Sequence, residues 1–277
     1  MENAFKIISD EYINVAFSIQ NDLQLWSVFL PASIETYLEK YPHQVDAQSS
    51  IFLAYNIDLN TNTCQIHDFN KSSEIKAQEL KPSSRYFLQW VETLSIVRIY
   101  SSIEELLLRS IQLKYLTPDK LLNKSRREFN KIKSQIQEEI ENNGLDKSRI
   151  NNKYLINYIK FKSSKATSFL NCKTYSVKDS SWEDFFDLIS TIRHMIVHNA
   201  MIVHNAMIVS QDDQNSINSK YKELFNLYFQ IQTDKNGTKI LKVNEATGII
   251  NVFAMCNDFA LNIAKNIFEH DTFQKAE

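Results

Sequence analysis

Residues 180–209 read SSWEDFFDLISTIRHMIVHNAMIVHNAMIV. In the first half, Trp182, Phe185, Phe186, Ile189 and Ile192 recur three or four residues apart, the spacing of one buried helix face. Ser180, with Glu183 three residues on, has the form of a capping box that opens such a helix. The second half is a perfect tandem repeat. MIVHNA stands at 195–200 and again at 201–206, and Met207-Ile208-Val209 begins a third copy. The segment predicts an amphipathic helix that carries Arg193, His194 and His198 and runs into the repeat.

Outward from this segment the helical pattern continues. Phe87, Trp90, Val91, Leu94, Val97, Tyr100, Ile103, Leu107, Ile111 and Tyr115 form a stripe over 86–115. Thr117-Pro118-Asp119 reads as the start of a further helix that runs to Asn143-Gly144. A closing helix is predicted over 249–268 from Ile250, Phe253, Phe259, Ile263 and Ile267. Polar residues 210–220 read as a loop. Two hairpins are predicted, over 49–69 around Asn-Thr-Asn-Thr and over 226–243 around Lys235-Asn236-Gly237. Residues 4–30 carry apolar residues at irregular spacing that does not separate helix from strand, and Pro31 reads as the end of that segment. A boundary is placed in the polar stretch 70–85, which contains Pro82. It divides an α+β region, 1–85, from a helical domain, 86–277.

Composition agrees with a mostly α fold. The 277 residues are 43% apolar, with 17 Phe and 12 Tyr, enough for a sizeable core. Only 3 Gly are present, and Gly144, Gly237 and Gly248 are too far apart to build a phosphate-cradling loop, which argues against nucleotide-binding folds of that kind. The net charge of −2 requires any nucleic-acid contact to come from a local patch. Three separated cysteines, Cys64, Cys172 and Cys256, fit a reducing compartment and offer no zinc spacing. No apolar run of about 18 residues and no signal-peptide pattern is present, so a cytoplasmic protein is expected.

The chemistry concentrates at Arg193 and His198. At about 100° per residue, Arg193 lies within about 20° of Trp182, inside the apolar stripe. An Arg there is costly unless it meets a carboxylate, a phosphate or a polar cleft, and Glu104 and Glu105 are the carboxylates considered as core partners. His198 lies about 140° around a regular helix from Arg193, so the two meet only if the helix breaks between them or a second protomer supplies one. His194 and His198 have the i,i+4 spacing of a zinc helix. The intervening Met-Ile-Val holds no general base and no third ligand is near, so no metal or other cofactor is expected.

Arg-His-x-x-x-His at the end of an amphipathic helix, in the context LISTIRHMIVHN, resembles the signature of the HEPN superfamily, and the resemblance in pattern covers roughly 86–270. Residues 1–85 show none. The resemblance implies a HEPN-like helical bundle, here with small β-hairpins in the α+β N-terminal region and near the C-terminus. It further implies a metal-independent endoribonuclease of toxin, abortive-infection or antiviral-defence type, whose partners are RNA and a second copy in a homodimer with a composite site. Its RNA substrate, and any partner that neutralises it, are not identified by the residues. His198 would transfer the proton and Arg193 would hold the phosphate. His194 and Asn199 would support them. From Lys147 to Lys178 stand eight Lys or Arg and no acidic residue, interleaved with Tyr154, Tyr158, Phe161, Phe169 and Tyr175. Lys147, Arg149, Lys153, Lys160, Lys162 and Lys165 are the candidate RNA-binding residues. The competing readings are a solvated helix face with core aromatics and, for the whole chain, a non-catalytic helical module that binds RNA or protein.

The repeat departs from the family pattern of one His-bearing unit. Six inserted helical residues add about 9 Å and rotate the downstream residues by about 240°. His204, in the second copy, returns to the face of Arg193 but about 16 Å further along the axis, so it does not replace His198 in one chain. Two hypotheses remain open. Either the second copy is tolerated and the site stays active, or copy number is a switch and the two-copy form is silent.

Overall fold

The structure is a computed structural model. It describes residues 2–43, 45–58, 63–117, 125–146, 148, 152–199, 209, 211–233, 237 and 239–269, and their side chains except at 2–4, 45–75, 78, 198, 199, 213, 216 and 218–220. It is mostly helical. Helix α1 (Glu2–Lys40) leads into an antiparallel hairpin, β1 (Val45–Asp58) with β2 (Thr63–Lys76), paired from Val45↔Lys76 to Asp58↔Thr63. There follow α2 (Ala77–Ile111), a π-helical turn (Gln112–Leu116), α3 (Arg126–Asn142), α4 (Lys153–Lys162), α5 (Ser164–Asn171) and α6 (Trp182–Asn199). The chain then forms α7 (Gln211–Lys220), α8 (Lys222–Tyr228), a second hairpin of β3 (Phe229–Thr233) with β4 (Lys239–Val243), and α9 (Gly248–Phe268). Among the described residues no helix is long and apolar enough to cross a membrane.

The chain divides into two compact units, residues 1–23 with 89–277, and residues 24–88. This differs from a cut at residue 85 in grouping the first 23 residues with the larger helical unit. Their buried side chains explain why: Ile8, Tyr12, Ala16, Ile19 and Leu23 fall three or four apart and join the core of that unit. Tyr12 Oη donates to Asn257 Oδ1 of α9 at 2.8 Å. Arg109 of α2, with only 6% of its side chain exposed, is held between Glu11 of α1 and Glu105 of its own helix. A buried guanidinium needs such partners, because an unpaired charge there would cost several kcal/mol.

In the smaller unit, Pro31 does not end α1. It forfeits one helical N–H bond, but tertiary packing holds the helix on both sides. Trp26 meets the ring of Phe87 edge-on at 5.4 Å, and Lys81 pairs with Glu35 at 3.8 Å. Pro82 lies inside α2, five residues after its start, so the boundary near it falls within a helix.

Two further expectations need correction, and a third lies in part outside the described residues. Thr117 follows the π-helical turn. Its N–H donates to Gln112 O and its hydroxyl accepts from Gln112 Nε2 at 2.8 Å, closing the π turn. Residues 118–124, including Pro118 and Asp119, lie outside the described residues, and α3 opens instead at Ser125, whose Oγ accepts from Glu128 N. The stretch at 210–220 is helical from Gln211. Its one apolar residue, Ile217, is fully buried, and a single apolar position leaves no periodic signal. The capping box of α6 is Ser181 with Asp184, one residue later than Ser180 with Glu183. Ser181 N donates to Asp184 Oδ2 at 2.9 Å and Asp184 N to Ser181 Oγ at 3.2 Å.

Candidate functional site

Helix α6 is seated by aromatic packing at its N-terminal half. Phe186 stacks on Phe259 of α9 at 4.9 Å and Trp182 on Phe169 of α5 at 5.4 Å. Trp182, Phe185, Phe186, Leu188, Ile189, Ile192, Met195 and Ile196 are all buried, so the apolar face runs unbroken up to the repeat. This fixes the rotation of the helix and therefore where Arg193 emerges.

Arg193 is half-buried. Its Nε is buried and has no hydrogen-bond partner among the described residues. The carboxylates expected as core partners are engaged elsewhere, Glu104 with Lys133 at 2.5 Å and Glu105 with Arg109 at 3.8 Å. One turn before Arg193, Ser190 Oγ shares a 2.8 Å hydrogen bond with Tyr100 Oη of α2. Tyr100 also accepts from Asn152 Nδ2 at 2.6 Å. Asn152 precedes α4 with φ 53°, the only described non-glycine residue in the left-handed region. Such a conformation persists where its surroundings hold it, and it is concentrated at functional sites. Burial pushes the Tyr100 phenol up and Glu104 adds to this, whereas the Ser190 and Asn152 hydrogen bonds and the charge of Arg193 pull it down. The net rise keeps Tyr100 neutral, a hydrogen-bonding strut and not a base.

Sequence reasoning missed this Tyr100–Asn152–Ser190 cluster. Its three members come from distant segments, and the one available hint was a phenol placed on the apolar stripe of α2.

His194 is exposed. His198 and Asn199 lie in the last turn of α6, where only their backbone is described, and His204 lies outside the described residues. The helix is continuous through Arg193 and His198, so there is no break between them. Their backbone positions lie about 140° apart around one helix axis. Among the described residues no cluster of three His, Cys, Asp or Glu could hold a metal.

Four of the eight basic residues of the stretch are paired with carboxylates. Lys153 pairs with Asp146 at 3.2 Å, Lys160 with Glu183 at 2.8 Å, Lys162 with Glu139 at 2.6 Å and Lys165 with Glu269 at 3.4 Å. Lys147 and Arg149 lie outside the described residues. Tyr154 and Tyr158 are core residues and Phe169 packs against the core, leaving Phe161 and Tyr175 exposed. Tyr175 is itself tied to Asp258 at 2.6 Å.

No family model matches the chain, and no characterised protein and no solved structure matches it.

Proposed function

We propose that the chain is a metal-independent endoribonuclease whose Arg193 and His198 act on an RNA phosphodiester. The observation that carries this reading is Arg193 itself. It is a half-buried cation on the packed face of α6, with a buried Nε that meets no partner among the described residues and a histidine five positions later. A guanidinium whose Nε–H meets no partner among the described residues keeps a donor that a phosphate oxygen can accept.

RNA supplies its own nucleophile. The 2′-oxygen attacks phosphorus, the bond to the 5′-oxygen breaks, and a 2′,3′-cyclic phosphate and a 5′-hydroxyl result. One proton leaves the 2′-hydroxyl and one is delivered to the departing 5′-oxygen, and an imidazole, here that of His198, is the side chain suited to either transfer. Arg193 offsets the charge that develops on the phosphoryl oxygens. The 140° offset along an unbroken helix favours a composite site, with Arg193 of one protomer and His198 of another at the same phosphate. The four described lysine pairs of the basic stretch argue that this stretch contributes less to RNA affinity than its unopposed charges would.

The test is cleavage of single-stranded RNA by the full chain in the presence of a chelator. His198→Ala is expected to lose at least about a hundredfold while the far-UV circular dichroism stays unchanged. Cleavage that is unaffected by His198→Ala would overturn the role given to His198, and no cleavage in any repeat form would support the non-catalytic binding module instead.

A further inference from the structure

The smaller unit, residues 24–88, holds the end of α1, the β1–β2 hairpin and the start of α2. Among its described side chains Ala77 alone is buried. Leu25, Trp26, Val28 and Phe29 of α1 are all exposed, Val28 and Phe29 at 60% and 62%, and so are Tyr41 and Tyr86. A unit of about 65 residues is marginal even with a full core, and this one leaves its apolar side chains to water.

The hairpin is short of partners as well. Among the described residues β1 and β2 pair only with each other, so each has an outer edge with no strand beside it. A two-stranded hairpin is marginal in water, and a further strand or a packed layer stabilises it. The two edges differ in chemistry. Strand β2 carries Asp68, Lys71, Glu74 and Lys76, the kind of charges by which an edge strand avoids pairing with other chains. Strand β1 has no charge between Asp46 and Asp58, and no Pro or Gly. Its uncharged run, AQSSIFLAYNI at 47–57, amounts to about 37 Å of strand. Such an edge is a template for another strand.

We propose that the β1 edge is a homodimer interface, pairing antiparallel with β1 of a second copy about a two-fold axis at Leu53. The occupant is a second copy because the edge is complementary to itself. With Leu53 opposite Leu53, Ile51 lies opposite Tyr55 twice, an aromatic–β-branched pairing that stabilises sheets, and Phe52 lies opposite Ala54. The acids stay clear of each other, since Asp58 lies opposite Gln48 and Asp46 passes beyond the end of the other β1. A centre one residue earlier would set Asp46 against Asp58 at both ends and is disfavoured. The result is a four-stranded antiparallel sheet in the order β2–β1–β1–β2. Its new seam holds about ten main-chain hydrogen bonds, the number of a standard protein interface. Its outer edges are the two charged β2 strands. This inference does not rest on the ribonuclease reading. That reading calls for a second copy on separate grounds, the offset of Arg193 and His198 around α6.

The test uses the full chain. Opposite residues of an antiparallel pair have Cα atoms about 4.5–5.5 Å apart, inside the range that a disulfide spans. Leu53→Cys should therefore cross-link two copies under mild oxidation, giving a band of twice the mass on a non-reducing gel. Ser49→Cys, which lies opposite Ile57 and about 27 Å from its own counterpart, should not. Both are read against the parent chain, whose own cysteines set the background. In sedimentation the parent chain should be a dimer at micromolar concentration. A chain with Ile51→Lys and Tyr55→Lys, and one with Ile51→Glu and Tyr55→Glu, each set like charges opposite across the seam. Each should dissociate at least about tenfold more readily. Within one hairpin, position 51 lies opposite Asn70 and position 55 opposite Ile66, so neither change directly opposes a like charge there. Mixed in equal amounts, the two chains set Lys against Glu at both pairs and should recover the dimer. A monomeric parent chain, no cross-linking of Leu53→Cys above the parent, cross-linking of Ser49→Cys as strong as that of Leu53→Cys, or folded charged chains that remain dimeric alone or monomeric when mixed would each overturn the proposal. If the charged chains lose their helical circular dichroism, the cross-link and the parent's sedimentation decide. None of these outcomes depends on RNA cleavage, so the ribonuclease reading stands or falls separately.

Discussion

Tyr100→Phe isolates what the cluster beside Arg193 contributes to the fold. The ring of Tyr100 is buried and stacks on Phe186 at 5.6 Å, so the variant keeps the packing and loses only the hydroxyl. That removes the 2.8 Å bond with Ser190 Oγ and the 2.6 Å bond from Asn152 Nδ2 together. Ser190 is 4% exposed. Stranding one buried group costs about 1–3 kcal/mol and losing a partly solvated bond about 1 kcal/mol, so a total near 3 kcal/mol is expected. With a urea slope of about 3 kcal/mol/M for a unit of this size, the midpoint falls by about 1 M. Ser190→Ala leaves Tyr100 still satisfied by Asn152 and should cost about 1 kcal/mol. In the double variant the Tyr100–Ser190 bond is lost once and not twice, so the combined loss should fall short of the sum by about 1 kcal/mol. Urea unfolding of the four chains gives the coupling directly. Losses that add to within about 0.3 kcal/mol would refute the reasoning, because the shared bond would then contribute nothing.

Two further outcomes are expected. The Glu92 carboxyl is pushed above its ordinary value of 4.5 by burial and then by Glu245. The unfolded chain therefore releases this proton at lower pH than the folded one does, and stability falls as pH climbs through the folded value. Glu92→Gln should stabilise at pH 7 and converge with the parent at about pH 4 and below. A stability difference that is the same at both pH values would show that ionisation is not its source. At the start of α6, Ser181→Ala and Asp184→Ala should each cost about 1 kcal/mol, with the double variant well short of the sum, because each change breaks the same reciprocal cap. Ser180→Ala serves as the comparison. A loss for Ser180→Ala as large as that for Ser181→Ala would move the cap back by one residue.

The parts of the fold that were legible in the sequence were those in which one segment carries its whole signal. The stripes of α2, α6 and α9 repeat over several turns, and both hairpins announce themselves by polar turns between apolar runs. What failed to show was whatever depends on a partner elsewhere in the chain. Pro31 reads as a stop because its cost is local, whereas the contacts that override it, Trp26 on Phe87 and Lys81 with Glu35, join residues 61 and 46 positions apart. Helix α7 is invisible because one buried residue, Ile217, makes no period.

The same division runs through the candidate site. Arg193 and His198 stand five apart on one helix, so the candidate pair is a local motif of the sequence, while the groups that shape the surroundings of Arg193, Tyr100 and Asn152, stand 93 and 41 positions before it and meet only in the fold. The lysines make the point in reverse. Within 147–178 no acidic residue appears, so the run reads as unopposed charge. Yet the carboxylates that pair Lys153, Lys160, Lys162 and Lys165 are Asp146, Glu183, Glu139 and Glu269, every one of them outside that window. A charge count along the chain overstates a basic patch whenever the opposing charges arrive from neighbouring helices. Arg193 stands apart from these lysines because its buried Nε meets no partner among the described residues, and that difference is why the functional reading rests on it and not on the run.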